Sequence, residues 1–432
     1  MNFPESEAYL YSLGNEVEAM KLGLENITTL LSELGVPHKK YIKVQVAGTN
    51  GKGSVCAFLN SICLEVGIKT GLYTSPHLVS ITERIKIDGE DISESEFARL
   101  ATIVRETAES LLSEGKLTHT PTYFEQVTAI GLLAFANAGV ELAILETGLG
   151  GRYDAVTAAN AEIAAITRID LDHQEYLGNT IEEIAAEKAA IIRQGSIVVI
   201  GAQDPRALSV ILERCERLGI SRHSANKQSI FQLDVRSESD PVGEFDFEPP
   251  SDLGVQLGLN GRHQVENAHT AAMIAGTLAI EFGFDISGDQ IKAGLEHARH
   301  PGRLERIGRF LLDGAHNPSG AKALRAYLDE FVREPITLVF GAMRDKSVGE
   351  IAEILWPRAE RVILTRPSNS RAISAGELAT FAPVGIGTDR LIKSDKVAEA
   401  IEKAKELTTQ DGVILVTGSL YLVGEVKKLL NN

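Results

Sequence analysis

The stretch Ile42-Lys43-Val44-Gln45-Val46-Ala47-Gly48-Thr49-Asn50-Gly51-Lys52-Gly53-Ser54 decides the fold. Its first six residues form a short, largely apolar run of strand length. The next seven are rich in glycine, and a helical pattern follows over residues 55–64. In a strand, glycine turn and helix of this order, glycines let backbone N–H groups approach phosphate oxygens and the helix N-terminus adds positive potential. Lys52 can neutralise β/γ-phosphate charge, and the hydroxyl of Ser54 can approach Mg2+. The spacing departs from the standard phosphate loop, because Gly53 separates Lys52 from Ser54 and position 46 is Val. A ligand-free turn between strand and helix is the plainer alternative, but the strand and helix that the motif requires are both present.

Outward from this stretch, short apolar runs at 142–145, 163–167 and 196–200 alternate with helical patterns, which predicts an α/β fold with a mostly parallel sheet. The segment His297-Ala298-Arg299-His300-Pro301-Gly302-Arg303 is polar, basic and broken by Pro-Gly, as in a linker. Beyond it, runs at 310–312, 336–340, 362–365 and 413–417 begin a second alternation. We therefore expect an N-terminal ATP-binding domain of the P-loop type over 1–298 and a smaller Rossmann-like α/β domain over 299–432. The polar stretch 221–259 is expected to hold hairpins or an irregular loop.

Composition agrees with two packed domains, since 432 residues exceed the roughly 250–300 that one core supports. Hydrophobic residues make up 44% and charged residues 24%, ordinary values for globular chains. Forty-three basic against fifty-nine acidic residues give a formal charge of −16, which disfavours nucleic acid and anionic membranes as partners. No apolar run approaches the ~18 residues of a membrane span, and the N-terminus lacks a secretory pattern, so a cytoplasmic protein is expected. Cys56, Cys63 and Cys215 show neither zinc-site spacing nor a disulfide framework, and read as core thiols.

In open α/β sheets ligands bind beyond the carboxyl ends of the strands. Three apolar segments end near possible metal ligands: one leads to Thr74-Ser75-Pro76-His77, one to Glu146 and one to Asp172-His173. A hydroxyl, a carboxylate and an imidazole beside a triphosphate suit Mg2+. Thr180 and Glu183 form a capping-box pattern, and the apolar stripe Ile181, Ile184, Ala185, Ala189, Ile192 has Lys188 on the same side. A lysine there either snorkels or pairs with a carboxylate, or it reaches the phosphate site as a cation or, once carbamylated, as an anionic metal ligand. Further on, Asp313-Gly314-Ala315-His316-Asn317-Pro318 leaves another strand, with Asp313 placed for ribose hydroxyls and His316 for phosphate or base. Arg303 can reach phosphate from the linker, and the loops 341–346 and 417–421 face the same edge.

With these segments assembled, the sequence resembles the folylpolyglutamate synthase and dihydrofolate synthase branch of the Mur ligase family. The resemblance rests on residues 48–54, Tyr73-Thr74-Ser75-Pro76-His77-Leu78, Glu146-Thr147-Gly148-Leu149-Gly150-Gly151-Arg152, Asp172-His173, Glu187-Lys188-Ala189, Pro301-Gly302-Arg303, residues 313–318 and residues 417–424. It runs through nearly the whole chain in order. The resemblance implies a ligase that uses ATP to activate a carboxylate as an acyl phosphate and joins L-glutamate to it. The acceptor would be a folate, and dihydropteroate as well. ATP phosphates would lie on Asn50, Gly51, Lys52, Gly53 and Ser54, with Asn267, Arg303 and Asp313 as further ATP contacts. Ser75, Glu146 and His173 would hold magnesium, two ions in all, with a monovalent cation in addition. Lys188 would be the carbamylated lysine and His316 a second catalytic residue. The pterin would meet Leu22, Gly23 and Leu24, then Thr122, Tyr123, Phe124 and Glu125, and finally Tyr153, Asp154 and Ala155. Where the family commonly has Thr-Asn, Gly and Trp, this chain has Val156-Thr157, Asp170 and His300. A monomer is expected.

Two rivals share parts of this pattern. A Mur-type ligase acting on a cell-wall precursor would keep the ATP site and change the N-terminal pocket, and Thr74-Ser75-Pro76-His77-Leu78 argues for the folate branch. A non-catalytic nucleotide switch would have no use for Glu146, His173 and Lys188.

Overall fold

A computed structural model of the chain describes residues 1–14, 23–220, 230–232 and 255–431. The first sheet contains β1 (Ile42–Ala47), β2 (Thr70–Tyr73), β3 (Ile85–Ile87), β4 (Glu90–Asp91), β5 (Leu142–Glu146), β6 (Ile163–Ile166), β7 (Ile197–Ile200) and β8 (Ile230–Gln232). Their order across the sheet is β4-β3-β2-β5-β1-β6-β7-β8, parallel except for the β2-β3-β4 edge. The second sheet contains β9 (Glu305–Ile307), β10 (Phe310–Leu312), β11 (Ile336–Phe340), β12 (Arg361–Leu364), β13 (Leu391–Lys393) and β14 (Val413–Thr417). Its order is β13-β12-β11-β14-β10-β9, with only β9 antiparallel.

The runs that predict strands are those buried on both faces. In β1, Val44 and Val46 face a core shared with Phe58, Leu59 and Ile62 of the helix Lys52–Val66. The alternate residues Lys43 and Gln45 are buried polar groups that find partners, Lys43 in Glu162 and Gln45 in Thr147 and Thr157. In the second sheet Leu311, Leu338 and Leu415 pack to one side, and Leu312, Val339 and Val416 to the other. Such double coverage is what parallel sheets require.

Several expectations change in detail. The helix after the glycine turn starts at Lys52 rather than Val55, because Gly51, at φ 90°, turns the chain into it directly. The helix Ile181–Ala189 keeps the predicted capping box but stops before Ile192, which is buried in the turn beyond. In the polar stretch 221–259, β8 pairs parallel with β7 and is no hairpin; residues 221–229 and 233–254 lie outside the described residues. The chain passes from the first set of layers to the second between the helix Gly288–His297 and β9. There Arg299 Nη1 donates to the carbonyls of Glu296, His297 and Ala298, closing the helix end. All three cysteines are free and buried. Among the described residues no helix is long and apolar enough to cross a membrane.

Candidate active site

The carboxyl ends of β1, β2, β5 and β6 face those of β10, β11 and β14 across a cleft of about 650 Å³. Most of the residues singled out in the sequence line it: the phosphate loop, Ser75, Glu146, His173, Lys188, Asn267, Arg303, Asp313 and His316. On its other side are Gly23, Thr122, Phe124, Glu125, Tyr153, Asp154 and Ala155.

The phosphate loop is held from within. Lys52 Nζ donates to the carbonyls of Gly48 at 3.0 Å and Thr49 at 3.1 Å, and Lys188 Nζ donates to Gly48 at 2.8 Å. Thr49 Oγ1 donates to the Asp170 carbonyl at 2.9 Å. A side chain on Gly51 would collide with Asn267, and one on Gly53 would meet the His300 ring. His300 thus packs against the loop. Burial and then the Arg303 charge pull its imidazole down to about 3, so it sits there neutral.

Two cations lie close together, Lys188 buried and Lys52 half-buried. Burial pulls Lys52 below the ordinary lysine range, against the charges of Glu146 and Asp172. Lys188 is pulled down to about 7, by burial first and by Lys52 second. At 4% exposed it is neither a snorkelling nor a solvated lysine.

Glu146 is the last residue of β5 and 6% exposed; its Oε2 accepts from the Ser75 N–H at 3.1 Å. Burial raises its carboxyl, with Lys52 and Arg303 opposing. Glu146 thus places a hard carboxylate oxygen in the cleft beside the phosphate loop, and Ser75, a hydroxyl residue, lines the same cleft; both are residue types that suit Mg2+. His173, at φ 50°, stands apart from them in its partners. Its Nε2 lies 3.0 Å from Lys346 Nζ, and burial together with the Lys346 charge pulls it down to about 4. Among the described residues no three His, Cys, Asp or Glu side chains come together as a metal cluster.

Some predicted contacts turn elsewhere. Tyr123 is 3% exposed and packs into the core, stacked on Tyr11 at 5.8 Å, so it does not line the cleft. Leu24 precedes the helix Glu25–Glu33 and packs half-buried against the core, also off the cleft. Leu22 lies outside the described residues. Glu125 lines the cleft but uses Oε2 to accept the Thr122 N–H at 2.8 Å in a capping box. Asp154 accepts the N–H groups of Leu149 and Val156, and burial nevertheless pushes it up to about 6. Thr157 donates to Gly151 at 2.7 Å behind the cleft.

The residues that sequence reading missed join the two sheets. Asn317 Nδ2 donates to Asn50 Oδ1 at 3.1 Å and to Asp172 Oδ2 at 2.9 Å, and Ser319 Oγ donates to Asp170 Oδ2 at 2.8 Å. Lys346 Nζ donates to Asp172 Oδ1 at 2.8 Å. Burial alone would raise Asp172, but its hydrogen bond from His316 and the Lys346 charge hold it far below the usual carboxylate range. Asn317 and Lys346 sit in the strand-end loops noted in the sequence; only their partners were invisible there. Asp313, by contrast, is turned to the local backbone, accepting the N–H groups of Leu304 and Ala315.

Residues 46–275 match the Mur ligase middle domain and residues 302–420 match the Mur ligase glutamate ligase domain. A Bacillus subtilis dihydrofolate synthase/folylpolyglutamate synthase is 35% identical over 95% of this chain and 95% of its own. The chain belongs to the folylpolyglutamate synthase/dihydrofolate synthase branch of the Mur ligase family. A probable bifunctional folylpolyglutamate synthase/dihydropteroate synthase of Haloferax volcanii is also 35% identical, over 99% of this chain, which spans only 50% of that relative's length. Among solved members of the branch, Mycobacterium tuberculosis folylpolyglutamate synthase complexed with ADP superposes with a TM-score of 0.86 at 29% identity, covering 100% of this chain and 98% of the other. The bifunctional folylpolyglutamate synthase/dihydrofolate synthase of Yersinia pestis, complexed with AMPPNP and a Mn ion, gives 0.82 at 27% identity, covering 100% and 98%.

Proposed function

We propose that this chain is an ATP-dependent ligase that joins L-glutamate to the carboxylate of a folate, and also to dihydropteroate. The observation that carries this reading is the cleft in which a phosphate loop, Ser75, Glu146 and the opposing Arg303 and Asp313 all converge. The relatives' ADP, AMPPNP and Mn ion support a nucleotide and a divalent metal here.

A carboxylate is a poor electrophile with a poor leaving group, so it must be activated. The γ-phosphoryl group of ATP passes to a carboxylate oxygen, giving acyl phosphate and ADP. The glutamate amine then attacks the carbonyl carbon, and the tetrahedral intermediate expels phosphate to leave an amide. In this reading the N–H groups of Asn50, Gly51, Lys52, Gly53 and Ser54 bind ATP phosphates. Lys52, already fixed by two carbonyls, places a cation beside the transferring group without further reorganisation. Asn267 and Arg303 orient the nucleotide, Asp313 does so through the lone pairs that its two backbone partners leave free, and His316 stands beside Asp172 at the phosphate end.

Ser75, Glu146 and His173 would hold magnesium, His173 after parting from Lys346; two ions and a monovalent cation belong to this reading. Bound there, magnesium neutralises phosphate charge. The Lys188 amine, with its titration near 7, is available in the neutral form that adds to carbon dioxide, losing a proton to give a carbamate. Gly23, Thr122, Phe124, Glu125, Tyr153, Asp154 and Ala155 would form the pterin side. The chain would act as a monomer in the cytoplasm, with its two domains meeting after residue 298.

The test is ATP-dependent incorporation of labelled glutamate, run in parallel with dihydropteroate and with a reduced folate. Incorporation with both is expected. Incorporation with neither, while ATP still binds, overturns the proposal.

A further inference from the structure

The loop that carries Ser75 belongs to the first sheet, yet its far end is seated in the second domain. Leu78 packs against the core formed by Leu312, Val339, Val416, Leu422 and Val423. Every other side chain of that core and its margin comes from beyond residue 300, so among the described residues Leu78 is its one contribution from the N-terminal layers. Two glycines make room for it. A Cβ on Gly424, in the helix Leu420–Asn431, would run into the Leu78 carbonyl oxygen, so the helix backbone lies directly on the loop backbone. A Cβ on Gly302 would stand 3.2 Å from Leu78 Cδ1 and 3.2 Å from Val423 Cγ1, so the Leu78 side chain lies between linker and helix.

The loop between Leu78 and Ser75 is stiff. Glu83 accepts the backbone N–H groups of Leu78, Val79 and Ser80 at 2.8, 2.9 and 2.9 Å. Arg84 Nε donates to His77 Nδ1 at 2.8 Å, and the Thr74 N–H donates to the Arg84 carbonyl at 3.0 Å. The Ser75 N–H ends on Glu146. A displacement imposed at Leu78 therefore has little slack to dissipate in before it reaches Ser75.

We propose that Leu78, clamped by Gly424, is a positioning residue: it transmits the placement of the C-terminal domain to Ser75 and Glu146, so that these two residues are set for a divalent cation only when the two domains are docked. This rests on the reading of Ser75 and Glu146 as metal ligands. Leu78 is not among the residues that line the cleft and acts through the loop.

The test measures Mn2+ affinity by electron paramagnetic resonance in the presence of ADP, together with kcat and KM, for Leu78→Ala, Leu78→Met, Gly424→Ala and the exposed neighbour Val79→Ala. Leu78→Ala and Gly424→Ala are expected to weaken Mn2+ binding and lower kcat by about tenfold each, with little change in KM for the pteridine substrate. Leu78→Met should restore most of both, and Val79→Ala should match wild type. Should Gly424→Ala not fold, Leu78→Ala decides alone. Unchanged Mn2+ affinity in folded Leu78→Ala overturns the proposal, even if activity falls. Glu146→Gln, run alongside, separates the two readings. If it keeps full Mn2+ affinity, the metal assignment itself fails; if it loses Mn2+ while Leu78→Ala does not, only the coupling fails.

Discussion

Lys346 Nζ, from the loop after β11, lies 2.8 Å from Asp172 Oδ1, from the loop after β6, and the two side chains are 8% and 9% exposed. This ion pair joins the two domains at the point where the phosphate loop, His173 and His316 also meet. Breaking one partner of such a buried pair leaves the other charge uncompensated, which costs about 3–5 kcal/mol. Asp172→Asn should therefore loosen the domains. Tryptic cleavage after the exposed Arg299 should become several-fold faster than in wild type, and ATP with Mg2+ should slow it in wild type. Equal cleavage rates in both proteins, with or without nucleotide, would count against a cleft closed by this pair.

Lys52 donates only to carbonyls of its own loop, so its removal disturbs little packing. Lys52→Ala should lose about 10²-fold or more in kcat while keeping the circular dichroism of wild type. Wild-type-like ligation by the folded variant would remove Lys52 from the phosphate site.

If Lys188 acts as a carbamate, Lys188→Ala should lose most activity, and acetate or formate should partly restore it by filling the vacated anionic position. Full activity without rescue would take the residue out of the chemistry.

The same lysine leaves a signature on stability. Folded, its amine titrates near 7; unfolded, at its ordinary 10.5. Between those values the unfolded chain holds the extra proton, so this group's contribution rises with pH across the window and is least favourable below 7. In CO2-free buffer, Lys188→Met should melt about 3 °C above wild type at pH 6, and the gap should shrink as pH rises from 7 to 10. A gap that stays constant with pH would mean that the amine enters the folded state charged throughout.

The phosphate loop, the ends of β5 and β6 and the Asp313 loop were legible because buried parallel strands read as short, largely apolar runs and their ends point to one edge. The strands β3, β4, β9 and β13 were not. They are two or three residues long and carry Lys86, Glu90, Asp91, Glu305, Arg306 and Lys393, too short for a strand pattern to stand out. Tyr123 was assigned to the pocket by resemblance, whereas its ring satisfies the core against Tyr11. The contacts of Lys346, Asn317 and Ser319 depend on how two domains dock, and each joins residues more than a hundred positions apart, beyond any local pattern.

The ligase reading stands on one step, the activation of a substrate carboxylate by ATP in this cleft. It is tested most directly with a folate whose reacting carboxylate carries 18O at both oxygens, by measuring the isotope content of the phosphate released as glutamate is added. Transfer of the γ-phosphoryl group to that carboxylate places one 18O in each inorganic phosphate formed, and this is the expected result. Amide formation with unlabelled phosphate, or phosphate release that does not depend on the carboxylate substrate, would contradict the account.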